Sequence, residues 1–295
     1  MPRPTSHWNR LEGRVAIVTG AGSAGDGIGN GKAIAILFAA EGARVCLVDR
    51  DRESVDNTLR EILAAGGEAF SVVGDVSLEA DCARFAFEAS ERYGGVDVLV
   101  NNVGVSAPGG SIESLDMAAW SAVIDINLKS AVMMCRYAIP HMIARSRGAI
   151  INIASIAGMR AHGGSLAYGP SKAAMIQLSR ELAVAHGGDG IRVNTVAPGH
   201  IFTPLAKRHL GEHARVERRD VSPLGIEGDA WDVAYATLFL ACEESRFLTG
   251  VLLPVDGGVT EIGPLAAHAM LKQRRSKLLP TSVSSQGRED SEDSP

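Results

Sequence analysis

Residues 15–49 read VAIVTGAGSAGDGIGNGKAIAILFAAEGARVCLVD, and this stretch decides the fold. A short run rich in β-branched residues, VAIVT, leads into a glycine-rich turn. A helical pattern over Ala33–Ala40 and a second apolar run, RVCLVD, follow. A buried strand, a helix and another buried strand in this order are typical of a βαβ unit. The stretch therefore predicts the beginning of a parallel sheet.

The same alternation continues as far as the VLLPVD run. Further strands are predicted at AFSVV, VDVLVNN, GAIINIAS, IRVNTVA and VLLPVD, and further helices over about 53–65, 80–92, 120–142 and 170–185. Apolar strands that are each followed by a helix indicate a parallel sheet covered on both faces. We expect an α/β protein with a single doubly wound, Rossmann-type domain, a parallel sheet of about seven strands and helices on both faces.

Composition shifts suggest how the chain is divided. We expect an N-terminal extension over 1–12, a dinucleotide-binding and catalytic domain over 13–262, and a C-terminal extension over 263–295. Residues 203–228 are rich in charge and follow a strand end, where α/β folds bind ligands, so they are predicted to form a substrate lid. The last fifteen or so residues have few apolar side chains, which predicts disorder.

Charge and cysteine usage narrow the class of function. The net charge of −5 gives no electrostatic reason to bind nucleic acid or an anionic membrane, so we expect neither partner. The four cysteines show no spacing typical of zinc or redox sites, and no metal is predicted. The sequence shows neither a signal-peptide pattern nor an apolar run long enough to span a bilayer, which favours a cytoplasmic protein. A small molecule is the expected partner.

The glycine-rich turn and the end of the second strand predict a cofactor site. Glycines let the backbone approach a pyrophosphate, and the helix N-terminus behind them supplies free N–H groups. Asp49 stands where a carboxylate accepts hydrogen bonds from ribose hydroxyls, and its charge would repel a 2′-phosphate. This favours NAD over NADP. The neighbouring Arg50 could instead pair with that phosphate, so NADP stays open.

Tyr168-Gly-Pro-Ser-Lys172, with Ser155 thirteen residues upstream of the tyrosine, resembles the hallmark of the short-chain dehydrogenase/reductase family. The resemblance covers roughly Leu11 to Glu261. Other features of that family occur in the expected order: Asp75-Val76, Asn101-Asn102-Val103-Gly104, Asn127, and Pro198-Gly199 followed by Thr203.

The resemblance implies an enzyme that moves a hydride between nicotinamide and a secondary alcohol or ketone. It implies catalytic roles for Asn127, Ser155, Tyr168 and Lys172, with Asn127 holding a water that links Lys172 to solvent. It also implies a homotetramer or homodimer. The sequence and the resemblance together predict these cofactor-binding residues: Gly20, Ser23, Gly29, Asn30, Gly31, Asp49, Arg50, Asp75, Val76, Asn102, Gly104, Tyr168, Lys172, Pro198, Gly199, Ile201 and Thr203.

The chemistry of the tyrosine supports these roles. Hydride transfer at a carbinol needs an acid/base, and tyrosine with a pKa of about 10 is a poor base unless its phenolate is stabilised. Lys172 lies four residues along the same predicted helix, so we expect its ammonium to lower the pKa of Tyr168. Ser155 would orient the substrate oxygen. Two alternatives remain: a 3-oxoacyl thioester reductase that uses NADPH, and a non-catalytic NAD-sensing scaffold.

The glycine turn departs from the family pattern. Aligning Lys32-Ala33-Ile34-Ala35 with the family's helix makes Gly29 and Gly31 the second and third glycines, which implies an insertion of five residues. Matching Gly27-Ile28-Gly29 instead is closer by identity but shifts the helix pattern by two residues, so the first alignment is favoured, and the turn is enlarged in either case. We expect the enlarged turn to fold over the adenosine side of the cofactor, with Asp26 pointing away from the pyrophosphate. Position after strand ends marks five further candidates for the substrate pocket: Ser106, Met159, His162, His200 and Phe202.

Overall fold

A seven-stranded parallel sheet forms the centre of the protein, whose computed structural model describes residues 8–23, 25, 27–106, 109–161, 164–207 and 210–278. In chain order the strands are β1 (Val15–Thr19), β2 (Arg44–Asp49), β3 (Glu68–Val73), β4 (Val98–Asn101), β5 (Gly148–Ile153), β6 (Ile191–Pro198), β7 (Ile201–Phe202), β8 (Gly228–Asp229) and β9 (Leu252–Val255). The sheet order is β3-β2-β1-β4-β5-β6-β9, and β7 and β8 form a separate parallel pair. The order reverses between β1 and β4, which is where doubly wound folds place their ligand crevice.

The helices pack on both faces of this sheet, which confirms the predicted fold. In chain order they are α1 (Asn30–Ala40), α2 (Arg52–Ala64), α3 (Glu79–Tyr93), α4 (Met117–Ile124), α5 (Ser130–Ala144), α6 (Tyr168–His186), α7 (Pro204–Lys207), α8 (Glu212–Asp220), α9 (Ala230–Ala241) and α10 (Pro264–Leu278).

Alternation along the strands divides the core into two layers. Ala16 and Val18 of β1 belong to a cluster with α1, α2 and α9, whereas Val15 and Ile17 face a second cluster with α3 and α5. All four side chains are fully buried, because successive residues of a strand point to opposite faces and both faces carry helices.

The predicted long helix over 120–142 is wrong in one respect, because it is not continuous. Residues Asp125–Lys129 form a π-helical segment between α4 and α5. The buried Asn127 lies in this segment, and its side chain hydrogen-bonds the backbone of Val105 and the hydroxyl of Ser171. The wider turn brings this amide toward the carboxyl end of β4. A 3.6-residue apolar period carries no signal for such a change.

The segments predicted to flank the domain are partly described. Leu11 is buried, and its N–H donates to the carbonyl of Glu41, so this end of the chain packs on the domain. The charged stretch over 203–228 contains α7 and α8, and α10 lies within the predicted C-terminal extension. The predicted disorder falls on residues 279–295, which lie outside the described residues.

All four cysteines are buried free thiols. Burial raises the pKa of the Cys82 and Cys135 thiols to about 12. Across the described ranges, no group of three or more His, Cys, Asp or Glu side chains is arranged to hold a metal ion. No helix in the described part of the chain is both long enough and apolar enough to cross a membrane.

Candidate active site

A cavity of about 610 Å³ opens at the carboxyl ends of the strands, beside the reversal of sheet order. Its volume lies within the range of pockets that bind cofactors and small molecules. All seventeen residues predicted to bind the cofactor line it, and so does Ser155. Further lining residues that the sequence analysis did not select are Gly22, Val48, Asp51, Ser54, Gly74, Val103, Val105, Ile126, Ile153, Ala154, Pro204 and Ala206.

The N-terminus of α1 forms one wall of the cavity. Gly29 is the N-cap residue, and no side chain caps the helix there. The first turn of α1 holds no acidic residue, so the free N–H groups and the positive end of the helix dipole favour an anion. The Oγ of Ser23 and the Oδ1 of Asn30 are buried and have no hydrogen-bond partner within the described residues. Uncapped N–H groups and unpaired polar atoms at this wall fit the pyrophosphate of a dinucleotide.

Gly31 shows why the helix begins at this register. A Cβ added to Gly31 would lie 1.9 Å from the carbonyl oxygen of Gly20 and 2.5 Å from the Nδ2 of Asn102. Asn102 in turn donates to the carbonyls of Thr19 and Gly20, at 3.1 and 3.2 Å. Only glycine allows α1 to approach β1 and β4 this closely. This geometry agrees with the helix register that the sequence favoured.

Asp49 stands at the far end of the cavity, where β2 ends. Its Oδ2 accepts from the N–H of Gly22 at 2.9 Å, and its Oδ1 accepts from the N–H of Asp51 at 3.1 Å. The carboxylate is thus fixed in place while each oxygen keeps acceptor capacity for a further donor. Arg50 is exposed beside it on the cavity wall.

The enlarged glycine turn is anchored at both of its described ends. The Oγ of Ser54 in α2 accepts from the N–H of Ser23 at 2.5 Å and donates to the carbonyl of Ser23 at 2.8 Å. At the other end, a Cβ added to Gly27 would lie 3.1 Å from Pro204, the first residue of α7. The turn therefore extends from the Asp49 side to the charged stretch. The prediction for Asp26 falls outside the described residues.

Ser155, Tyr168 and Lys172 come together at the other end of the cavity. Ser155 follows β5, and its Oγ accepts from the N–H of Ala157 at 3.1 Å. The side chains of Ser155 and Tyr168 share a hydrogen bond. Burial raises the pKa of Tyr168 above its ordinary value, and the hydrogen bond to Ser155 opposes this shift. Two hydroxyls are thus paired at the wall where a substrate oxygen could bind.

The expected effect of Lys172 on the pKa of Tyr168 is not found in this structure. The Nζ of Lys172 lies 5.9 Å from the centre of the Tyr168 ring and donates to the carbonyl of Ile153 at 2.9 Å. Burial lowers the pKa of Lys172 to about 8. Removal of both groups from water outweighs their attraction at this distance, so desolvation sets the direction of both shifts.

Asn127 lies behind the cavity and does not line it. It is 0% exposed, and its Oδ1 accepts from the N–H of Val105 at 2.7 Å. Its Nδ2 donates to the carbonyl of Val105 at 2.8 Å and to the Oγ of Ser171 at 3.0 Å. The side chain is therefore committed to protein partners, and it braces the loop after β4.

The wall beyond Tyr168 is mainly apolar. Val105, Ile126, Ile201 and Ala206 line this part of the cavity. Of the five further pocket candidates, His162 lies outside the described residues, and the other four do not line the cavity. His200 instead contacts the carbonyl of Arg218 through Nδ1 at 3.2 Å, and burial lowers the pKa of its ring.

Phe202, Arg215 and Glu227 form a cluster, here called the clasp, that holds α8 against the domain. The guanidinium of Arg215 stacks 3.7 Å from the centre of the Phe202 ring. Arg215 also donates through Nε and Nη2 to one oxygen of Glu227, at 3.1 and 2.8 Å. The clasp therefore joins β7, α8 and the segment before β8.

Comparisons with known proteins agree with this arrangement. A family model described as enoyl-(acyl carrier protein) reductase matches residues 22–260, which is most of the chain. The chain belongs to the short-chain dehydrogenase/reductase family. It is 36% identical to a 3-oxoacyl-(acyl-carrier-protein) reductase of Thermotoga maritima over 250 residues, 85% of this chain and 99% of the relative. It is 39% identical to a cis-4-hydroxycyclohexanecarboxylate dehydrogenase of Sinomonas cyclohexanicum, covering 84% of this chain and 97% of the relative.

Solved structures of the family have the same fold. A protein described as a short-chain dehydrogenase/reductase from Burkholderia xenovorans is 44% identical, with a TM-score of 0.82 over 86% of this chain and 99% of that chain. A 7α-hydroxysteroid dehydrogenase complexed with NADH and 7-oxo glycochenodeoxycholic acid is 33% identical, with a TM-score of 0.80 over 85% of this chain and 95% of that chain. This protein is accordingly an oxidoreductase that acts on CH–OH groups.

Proposed function

We propose that this short-chain dehydrogenase/reductase uses NAD to interconvert a secondary alcohol and a ketone, with Tyr168 as the acid/base. The observation that carries the proposal is the hydrogen-bonded pair of Ser155 and Tyr168 hydroxyls at the wall of the large cavity, with Lys172 buried beside them. The secondary-alcohol relatives support the substrate class.

In the proposed reaction the cofactor and the catalytic side chains have separate roles. A nicotinamide cofactor bound here would supply the hydride acceptor for alcohol oxidation and the hydride donor for ketone reduction. In alcohol oxidation Tyr168, as phenolate, takes the proton from the substrate hydroxyl, and in ketone reduction the neutral phenol gives it back. Ser155 hydrogen-bonds the same substrate oxygen and keeps it within reach of Tyr168.

Lys172, which lines the cavity, and Asn127, which lies behind it, support this proton transfer. In the resting site burial sets the pKa of Tyr168, but the ammonium of Lys172 would stabilise the negative charge that forms on Tyr168 as its proton leaves, because a nearby cation favours the phenolate. Asn127 positions the loop after β4 through its two hydrogen bonds to Val105. We propose it as a positioning residue, whose contacts hold the cavity wall facing the tyrosine.

The cavity would hold the cofactor in an extended form. The N-terminus of α1 would bind the pyrophosphate, and the unpaired Oγ of Ser23 and Oδ1 of Asn30 would meet phosphate or ribose groups. Asp49 would accept hydrogen bonds from the adenosine ribose, and its negative charge favours NAD over NADP. The remaining proposed contacts come from Gly20, Gly29, Gly31, Arg50, Asp75, Val76, Asn102, Gly104, Pro198, Gly199, Ile201 and Thr203.

One relative supports a second candidate function. The Thermotoga maritima protein is a 3-oxoacyl-(acyl-carrier-protein) reductase, so this chain could reduce an acyl thioester with NADPH. Turnover of 3-oxoacyl thioesters and cyclic or linear secondary alcohols, each with both cofactors, distinguishes the two. Preference for NADPH and thioester would replace the leading proposal.

We also propose that the protein assembles as a homodimer or homotetramer. On α9, Tyr235 and Phe239 expose 41% and 37% of their surface, and on α5 Val132 exposes 44%. Exposed apolar side chains on neighbouring turns of a helix favour burial against a second copy. Light scattering after size-exclusion chromatography measures the mass directly, and a mass near 31 kDa would contradict assembly.

Tyr168→Phe tests the catalytic proposal. The substitution removes the acid/base oxygen and keeps the ring, so turnover should fall about 10²–10⁴-fold while NAD affinity stays the same. Steady-state rates and NAD titration by fluorescence measure the two quantities. Tyr137→Phe serves as the control, since this hydroxyl is bonded to the surface Glu79. A Tyr168→Phe enzyme with more than a tenth of the wild-type rate would contradict the assignment.

A further inference from the structure

A second cavity, of about 520 Å³, lies at the opposite end of the sheet from the candidate active site. Its wall includes Arg14, Asp97, Gly148 and Ile191, which stand at the amino ends of β1, β4, β5 and β6. It shares no lining residue with the first cavity, which lies at the carboxyl ends of the strands. A ligand here would therefore not meet the catalytic tyrosine.

Positive charge is concentrated around this cavity. The buried carboxylate of Asp97 faces three guanidiniums through its Oδ1: Arg147 at 2.6 Å, Arg145 at 3.0 Å and Arg14 at 3.9 Å. Arg14 also pairs with the exposed Glu243. Asp97 and Glu243 together bring two negative charges against these three cations, so one positive charge remains in excess, in a chain whose net charge is −5.

Two more arginines, Arg192 and Arg246, complete the wall. Arg192 donates through Nη1 to the carbonyl of Leu240 and through Nη2 to that of Cys242, at the end of α9. Burial lowers the pKa of Arg192, the charge of Glu243 opposes this shift, and the charge of Arg14 adds to it. The two cations are thus close enough to repel each other.

Arg147 and Arg246 keep donors available for a ligand. Within the described residues the only side-chain bond of Arg147 is from its Nε to Asp97, and the Arg246 guanidinium makes no hydrogen bond or ion pair there. Each guanidinium presents N–H groups in a fixed fork that matches the oxygens of a phosphate. The neighbouring Phe247 is 93% exposed and offers a flat apolar surface at the rim.

We propose that this cavity binds the phosphate group of a small molecule, with Arg147 and Arg246 as its main donors. A phosphate would neutralise the excess positive charge and accept hydrogen bonds from the guanidiniums of both Arg147 and Arg246. Because the exposed Phe247 ring can stack on a planar group, a nucleoside phosphate should bind more tightly than phosphate alone.

The test is calorimetric titration of the full chain at low ionic strength, with NAD present at saturation so that the first cavity is filled. The probes are inorganic phosphate, ribose 5-phosphate and ADP. We expect all three to bind and ADP to bind most tightly. Arg246→Gln should raise each dissociation constant at least tenfold, the value of one charge-assisted contact. Because Arg246 has no partner in the described fold, the variant should fold normally.

Two controls make the outcome decisive. Arg180→Gln removes an exposed arginine on α6 whose side chain, among the described residues, hydrogen-bonds only Gln177, and it should leave binding unchanged. Arg246→Lys keeps the positive charge but loses the paired N–H groups of the guanidinium. Its dissociation constants should therefore lie between those of wild type and Arg246→Gln. Absence of binding by all three probes would overturn the proposal. Equal binding by wild type and Arg246→Gln would overturn it as well.

Discussion

At the scale of single residues, the site depends on groups held away from water. Tyr168 has a raised pKa and Lys172 a lowered one, and burial is the first cause of both shifts. Each shift favours the neutral form of its group in this structure. Keeping Lys172 charged at this buried position therefore costs free energy. A charge held there would also act strongly on neighbouring groups, including a bound substrate and cofactor.

Lys172→Met should stabilise the fold at neutral pH while abolishing turnover. Below pH 8 the native protein holds a buried ammonium at a cost on the order of 3 kcal/mol, because its pKa falls from 10.5 to about 8. Between pH 8 and 10.5 the unfolded chain binds the extra proton, so wild-type stability rises with pH relative to the variant. Urea unfolding at pH 7 and pH 10 measures this difference, which should shrink at the higher pH.

The matched control is Lys272→Met, which replaces an exposed lysine on α10. It should change the free energy of unfolding little at either pH. If Lys172→Met were less stable than wild type at pH 7, the hydrogen bond to Ile153 would be worth more than the burial of the charge costs.

Asp49→Ala should reduce the discrimination between the two cofactors. The variant loses an acceptor for ribose hydroxyls and a charge that repels a 2′-phosphate, and Arg50 becomes free to meet that phosphate. The ratio of kcat/KM for NAD to that for NADP should fall at least tenfold, or invert. Asp51→Ala is a useful control because it removes a carboxylate from the same wall. A wild-type enzyme that already prefers NADP would contradict the proposed role of Asp49.

At the scale of elements, the enlarged glycine turn is the feature that sets this chain apart from the family pattern. It is tied to α2 by Ser54 and reaches α7 at Pro204, so it links the Asp49 end of the cavity with the charged stretch. The sequence predicted the enlarged turn, but it did not predict that Ser54 would hold the turn at Ser23. Ser54 stands in a helix with no motif of its own, and only the fold brings it next to Ser23.

Ser54→Ala should loosen the turn without touching the reacting groups. The two hydrogen bonds between Ser54 and Ser23 would be lost, so the dissociation constant for NAD should rise roughly fivefold to tenfold, with kcat nearly unchanged. Ser121→Ala, on the exposed side of α4, is the control. NAD affinity equal to that of wild type would show that the turn does not act on the cofactor.

The helices show where sequence patterns stop being informative. The register of Lys32–Ala35 in the sequence predicted the position of α1. Gly31 packs so closely against Gly20 that only glycine fits there, and a required glycine is visible in a sequence. The break between α4 and α5 left no such pattern, because the residues that Asn127 contacts, Val105 and Ser171, are distant in the sequence. Which residues distant in the sequence come into contact is determined by the fold.

At the scale of the whole molecule, the sequence was sufficient for the sheet and for most of the cavity. Alternating strands and helices predict a parallel sheet because each element must bury an apolar face. The carboxyl ends of those strands then place Asp49, Asn102 and Ser155 at one edge of the sheet. The substrate wall was less predictable: Val105 and Ile126 line it, but their residue types are those of an ordinary core.

Binding of NAD should stabilise the whole domain. At a concentration one hundred times the dissociation constant, a ligand of the native state adds about 2.7 kcal/mol, which corresponds to a rise in Tm of roughly 5 to 10 °C for a domain of this size. Differential scanning fluorimetry with NAD, NADP and no ligand measures this rise. NAD should give the larger shift, and equal shifts would argue against selection by Asp49.

The π-helical segment at 125–129 has a consequence for how the gene can change. A π turn holds one residue more than the α-helical turn it replaces, so deleting one residue there would restore a regular helix. The helices on either side would keep their relative orientation, whereas a deletion within a regular α-helix rotates every side chain beyond it by about 100°. Codon deletions in this segment should thus yield folded but inactive enzymes, whereas deletions within α4 or α5 should disturb packing.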